Sequence, residues 1–188
     1  MNYADKPLKA FGTSTLIEHV ITAANSQVER LVISVNSNSA HHYTQFSLPL
    51  ITDILPDTPG PLLGIYSVMA WYAEFDPTYD YVAVFPADVP CFPSNIVTIL
   101  LSSAESLPIG QTVLWCRANG QDQPLFSLWP FDALPYLSDT VVNQHAHGPK
   151  NYFSMHPNTC VAINTSKPEH FFNVNSEADL LQLNQMIA

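Results

Sequence analysis

The chain has 188 residues, enough for one ordinary domain with a sizeable core. Hydrophobic residues make up 47% of it and charged residues 12%, which excludes a disordered chain. Six Lys+Arg stand against sixteen Asp+Glu, a formal charge of −10, and this argues against nucleic acid or an anionic membrane surface as partner, since both need basic footprints.

No apolar run reaches about 18 residues, so no transmembrane helix is expected. The opening MNYADKPLKAFG lacks the basic and apolar stretches of a signal peptide. Cys91, Cys116 and Cys160 lie far apart and make no metal knuckle, and their odd number suits a reducing, cytoplasmic compartment. With no internal repeat and no low-complexity linker, residues 1–188 read as a single domain.

Thr15-Leu-Ile-Glu18 has the pattern of a capping box and opens a helix of roughly three turns, with Leu16, Ile17, Val20 and Ile21 on one face. Residues 31–35 (LVISV) form a short β-branched run, a buried strand, which ends in the polar turn 36–39. Residues 50–52 predict another short strand. The turn-rich stretch 53–60 (DILPDTPG) leads to Pro61, which opens a helix to about Trp71, because proline at the first helical position loses no hydrogen bond. Residues 81–85 (YVAVF) are the clearest buried strand and run into Pro86-Ala-Asp88-Val-Pro90. A helix follows over 94–101. Strands at 113–116 and 124–129 flank an Asn119-Gly120 turn. Residues 138–158 hold few apolar side chains and read as a surface loop with some helix. A strand at 160–163 precedes a last helix that begins at Ser176-Glu-Ala-Asp179. The alternation of strand and helix predicts an α/β sandwich with a mainly parallel sheet.

In such a sheet, ligands bind beyond the carboxyl ends of the strands. That rule points to 36–39, to 53–64 and to Asp88. An apolar strand delivers Asp88 to this edge, and the prolines at 86 and 90 stiffen it. A carboxylate there suits Mg²⁺, which bridges protein oxygens and phosphates; a helix-capping or loop-bracing aspartate is the other reading. Pro59-Gly60-Pro61-Leu-Leu-Gly64 places free N–H groups at a helix start, which favours an anion, although the same residues also make an ordinary tight turn. Asn173-Val-Asn175 offers amides that read heterocycle edges, or an Asx turn before the last helix. The seven histidines, including His41-His42 and His145-Ala-His147, lack the spacing or cysteine partners of a zinc site. No nucleophile-elbow pattern accompanies any Ser or Cys, so covalent catalysis is not expected.

Taken together, ADK at 4–6, the NSN turn at 36–38, D-x3-D-x-PGPLLG at 53–64, PADVP at 86–90 and FNVN at 172–175 resemble, in order, the molybdenum cofactor guanylyltransferases. These are cousins of the sugar-nucleotide pyrophosphorylases. The resemblance implies a three-layer, Rossmann-like (GT-A-like) nucleotidyltransferase fold. It implies transfer of GMP from MgGTP to the phosphate of molybdopterin-bound molybdenum, with release of pyrophosphate. Mg²⁺ is the implied cofactor, GTP and molybdopterin the implied ligands, and cofactor delivery implies a protein partner. By motif, Lys6 would contact the GTP phosphates, Asn36 the guanine, and Asp53 the nucleoside pocket. Asp88 would hold Mg²⁺ and phosphates, Gly60 and Gly64 would let backbone amides approach the ligands, and Asn173 and Asn175 would line the pterin side. Met1-Asn-Tyr stands where the family has a first strand and a glycine-rich LAGG-x-S-x-RMG loop, so the expected sheet lacks its first strand. The alternatives are a relative that uses CTP or a sugar phosphate, and a non-catalytic relative that binds pterin or a partner protein.

Overall fold

A computed structural model describes residues 3–55, 58–104 and 110–187. After a 3-10 turn at Tyr3–Leu8, the strands β1 (Ala10–Phe11) and β2 (Ser14–Thr15) form a small antiparallel hairpin around Gly12. Helix α1 (Leu16–Asn25) starts where the sequence places it. The Thr15 side chain takes the Glu18 N–H, and the Glu18 carboxylate takes the Thr15 N–H at 2.7 Å. Two of the N–H groups that a helix start leaves unpaired are thereby satisfied.

Strands β3 (Ile33–Val35) and β4 (Leu50–Thr52) pair in parallel, with 3-10 turns at Ala40–His42 and Thr44–Phe46 between them. Helix α2 (Pro61–Phe75) begins at the proline and runs a turn beyond the predicted end. Strand β5 (Tyr81–Val84) and helix α3 (Ile96–Ala104) follow. Strands β6 (Val113–Ala118) and β7 (Gln121–Pro130) turn at Asn119-Gly120, where both residues have positive φ, 46° and 83°. That is the two-residue turn whose twist matches a hairpin. Short helices α4 (Leu134–Ser138) and α5 (Pro149–Phe153) flank a π turn at Asp139–Asn143; strand β8 (Asn158–Ile163) and helix α6 (Glu177–Ile187) complete the chain.

The architecture is the expected α/β one, and its sheet is mixed. The order β5-β7-β6-β8 has β7 antiparallel to both neighbours; with β6 this follows from their two-residue turn, which can join only antiparallel strands, and β6 and β8 pair in parallel. Among the described residues the β3/β4 pair makes no ladder with this sheet. Helices α1 and α3 pack on one face, where Val20, Ala24, Val97 and Leu100 meet Phe126 and Leu128. Helix α2 and the 134–153 region cover the other, with Leu62 and Met69 against Trp129 and Tyr152.

Two expectations are corrected. Residues 138–158 are not only a surface loop, since Thr140, Val141, Pro149 and Tyr152 are buried. Aromatic stacking draws them in: Trp129 lies 4.9 Å from Tyr152 between ring centroids, and Trp115 stacks on Phe153 at 5.3 Å. Conversely, the most apolar strand, β5, is only half-buried at all four positions. Among the described residues it pairs with β7 alone, and its other edge borders a cavity.

Candidate active site

Three strand ends converge. Strand β3 leads to Asn36, β4 to Asp53, and β5, through a proline-stiffened turn, to Asp88. All three residues line one cavity of about 970 Å³, together with Lys6, Gly60, Gly64 and Asn175. Seven of the eight sequence-predicted residues therefore come together. Asn173 does not line the cavity and is exposed.

Lys6 reaches in from the first turn of the chain. Its Nζ donates to Asp88 Oδ2 at 2.5 Å and to Asn175 Oδ1 at 2.7 Å, and the residue is only 8% exposed. Removal of a lysine from water is costly unless its charge is met, and here a carboxylate and an amide oxygen meet it. The backbone holds this arrangement, because the Val174 N–H donates to the Asp88 carbonyl at 3.0 Å and so fixes Asn175 beside Lys6. The Asn175 and Ser176 N–H groups both donate to Asp179 Oδ2 at 2.8 Å, which caps α6. The start of α6 is thus held by Asp179 and Ser176 rather than by an Asx turn of Asn173 or Asn175, and the Asn175 side chain serves the Lys6 cluster.

The Asn36 Oδ1 accepts the Asn38 N–H at 3.0 Å, and the Asn36 side chain also hydrogen-bonds to Asp53. Burial pushes the Asp53 carboxyl above the ordinary carboxylate range, and the bond from Asn36 opposes the shift. A folded-state value above the unfolded one means that the native state binds more protons between the two. Stability therefore falls as pH rises through that interval and is flat above it. We expect Asp53→Asn to abolish this loss, so that in urea denaturation the variant gains on the parent as pH rises from about 4 to 7. Parallel pH profiles of the two proteins would show that Asp53 is not desolvated.

The two glycines serve packing. A Cβ on Gly64 would lie 2.7 Å from Ser34 Oγ, so a bare backbone here lets α2 press on β3. Gly60, at φ +103°, caps α2, and a Cβ there would lie 2.4 Å from the His147 carbonyl oxygen. That oxygen takes the Leu62 N–H at 3.1 Å, so one of the helix-start donors is used within the protein. Ser34 and His147 carry no local sequence signal for these roles, because their partners lie far along the chain. Asp57, the second aspartate of the D-x3-D pattern, lies outside the described residues, as do Met1 and Asn2.

Basic side chains are scarce in the cavity. Lys150 and Arg117 are exposed and share Asp122, at 2.8 and 2.7 Å. Among the described residues there is no group of three or more His, Cys, Asp or Glu placed to hold a metal, and no helix is long and apolar enough to cross a membrane. What the cavity does contain is hard oxygen donors, the Asp53 and Asp88 carboxylates and the Asn175 amide oxygen, beside one buried ammonium. That set suits a divalent cation whose remaining ligands are phosphate and water.

A molybdenum cofactor guanylyltransferase from Mannheimia succiniciproducens is 31% identical over 183 residues, 96% of this chain and 90% of that protein. One from Nitrobacter hamburgensis is 26% identical over 190 residues, covering 100% of this chain and 88% of that protein. Among solved structures, molybdopterin-guanine dinucleotide biosynthesis protein A from Archaeoglobus fulgidus superposes with a TM-score of 0.75 at 16% identity, over 97% of this chain and 90% of that one. The manganese complex of Rv0371c from Mycobacterium tuberculosis superposes with a TM-score of 0.68 at 12% identity, over 96% of this chain and 91% of that one. Residues 1–158 match the MobA-like NTP transferase domain, and the chain belongs to that family of nucleotidyltransferases.

Proposed function

We propose that this protein transfers GMP from metal-bound GTP to the phosphate of molybdopterin-bound molybdenum and releases pyrophosphate, in the cytoplasm. The curated relatives bear the name of that activity, and three unpaired thiols suit a reducing compartment. The observation that carries the reading is the Lys6–Asp88–Asn175 cluster at the end of β5, in the cavity that also takes Asn36 and Asp53. Phosphoryl and nucleotidyl transfers are catalysed mainly by positioning and charge neutralisation. Mg²⁺, which the Asp88 and Asp53 carboxylates and the Asn175 amide oxygen would hold, would supply neutralisation of the phosphate charge.

The chain's own groups divide the rest. The Lys6 ammonium, held between Asp88 and Asn175, faces the phosphates. Asp88 takes Lys6 on Oδ2 and would hold the cation with the rest of its carboxylate. Asp53 borders the nucleoside, and the Asn36 amide, which donates and accepts together, pairs with the guanine edge. Gly60 and Gly64 bring the start of α2 close to the ligands. Asn173, outside the cavity, and Asn175 lie on the pterin side.

Calorimetry with the magnesium complexes of GTP, ATP and CTP tests the reading. GTP is expected to bind at least about tenfold more tightly than the others, because a wrong base leaves buried polar groups unpaired. Asn36→Ala should narrow the gap. Equal binding of the three would support the cytidylyl alternative, and binding of none, with pterin still bound, the non-catalytic one.

A further inference from the structure

Strand β8 ends the four-stranded sheet, and its hydrogen bonds to β6 identify its outer edge. The Val113 N–H donates to the Pro157 carbonyl at 3.1 Å, and the Asn119 N–H donates to the Ile163 carbonyl at 3.0 Å. The register between them runs without a shift, from Val113 opposite Asn158 to Ala118 opposite Ile163. Backbone groups alternate along a parallel strand. Thr159, Val161 and Ile163 therefore turn to β6, and the N–H and C=O groups of Asn158, Cys160 and Ala162 turn outward. Among the described residues no hydrogen bond meets the outward groups of Cys160 or Ala162, and both residues are exposed. The neighbouring residues are committed elsewhere. The Asn158 side chain turns back to α5, where its amide donates to the Phe153 carbonyl at 2.7 Å and its oxygen accepts the Trp115 indole N–H at 2.9 Å. After Ile163 the chain leaves the edge, because the Thr165 N–H donates to Asn119 Oδ1 at 3.1 Å.

An open strand edge is a template for another strand, and monomeric proteins blunt it with charge, proline, a bulge or short length. β8 has none of these devices. Its six residues, NTCVAI, are uncharged and lie within an uncharged run from 157 to 166. The edge strand β4, by contrast, is three residues long. We propose that β8 pairs antiparallel with β8 of a second copy of this chain, about a two-fold axis at Cys160, so that the two sheets join edge to edge. Cys160 then faces Cys160, and Asn158 of each copy faces Ala162 of the other. This register uses every outward group of the strand and makes about six hydrogen bonds. Any other register leaves one or more of those groups unpaired. The edge suits its own copy because the facing side chains are small or neutral, and the two-fold sets no like charges opposite each other. The surrounding charge fits as well. The chain carries a formal charge of −10, yet three of its six basic residues surround this edge. Arg117 is in register with Ala162, Lys150 shares Asp122 with Arg117, and Lys167 lies just beyond the strand. Copies that repel each other elsewhere thus meet where basic residues offset the acidic ones. β8 is the edge opposite β5, so the active-site cavity stays open in the dimer, and the pairing is independent of the nucleotide used.

Sedimentation of the full chain in reductant tests the pairing. A one-strand contact is smaller than a standard interface, so dimers should form on the order of 10–100 µM and separate at about 1 µM. At the upper end of that range, amide hydrogen exchange at Cys160 and Ala162 should slow severalfold. Ala162→Pro removes an outward donor and no bond to β6. It should weaken association by about tenfold or more, while the dilute variant melts close to the parent. Cys160→Asp and Cys160→Lys each place like charges on the axis and should weaken association severalfold, whereas their equimolar mixture should associate at least as tightly as the parent. A chain that stays monomeric throughout the range would overturn the proposal. So would a dimer that Ala162→Pro leaves intact, because the contact would then lie elsewhere. A mixture of the two charged variants that associates no more tightly than either alone would overturn the two-fold axis at Cys160.

Discussion

Asp88→Asn is expected to lower nucleotidyl transfer by about two orders of magnitude or more, the usual loss when a main electrostatic group leaves an active site. The substitution keeps the shape of the side chain and removes the charge that meets both Lys6 and a cation. It also costs stability. Lys6 is 8% exposed and donates to Asp88 at 2.5 Å, so the variant leaves a buried ammonium with amide oxygens alone. We expect a loss of about 1–3 kcal/mol in urea denaturation. Stability and chemistry separate in the double variant Lys6→Met with Asp88→Asn, where no buried charge remains. Its stability should return toward that of the parent while transfer stays low. Turnover near that of the parent at saturating Mg²⁺ in Asp88→Asn would remove this carboxylate from the reaction.

The second large effect is structural and distinguishes the two glycines of the PGPLLG motif. Gly60→Ala is expected to destabilise the protein by about 3 kcal/mol or more. A φ of +103° with ψ of 159° is a glycine conformation, costing other residues about 1–3 kcal/mol. The new Cβ would also sit 2.4 Å from the His147 carbonyl oxygen, which is backbone and cannot rotate away. The collision would push apart the 145–148 turn and the head of α2, which the Leu62–His147 hydrogen bond joins. Gly64→Ala should also destabilise, but its clash is with the Ser34 hydroxyl at 2.7 Å, and Ser34 Cβ lies at an ordinary 3.7 Å. Ser34→Ala should therefore restore most of what Gly64→Ala loses, whereas no side-chain truncation should rescue Gly60→Ala. A Gly64→Ala variant not helped by Ser34→Ala in a denaturation cycle would show that α2 meets β3 in another way.

The sequence by itself determined the pieces whose cause is local. Thr15 and Glu18 make a capping box within one turn, Pro61 presets the first φ of α2, and Asn119-Gly120 admits the positive φ values that close the β6–β7 hairpin. Strand-end logic also placed Asn36, Asp53 and Asp88 on one edge, because parallel strands feeding helices deliver their carboxyl ends to the same side. Only the tertiary structure decided what those residues touch. Lys6 and Asn175 are 169 positions apart, and no spacing rule links them; Asn173, two residues away, stays outside the cavity. Periodicity reports how apolar a segment is, not which neighbours it receives. Hence YVAVF, the most apolar strand, is half-buried beside a cavity, while the polar 138–158 stretch sends Tyr152 and Val141 into the core. Glycine is as ambiguous from sequence, because its missing Cβ serves a ligand or a neighbouring chain segment equally well. At Gly60 and Gly64 the neighbours are His147 and Ser34, and that follows from how α2 is laid against the sheet.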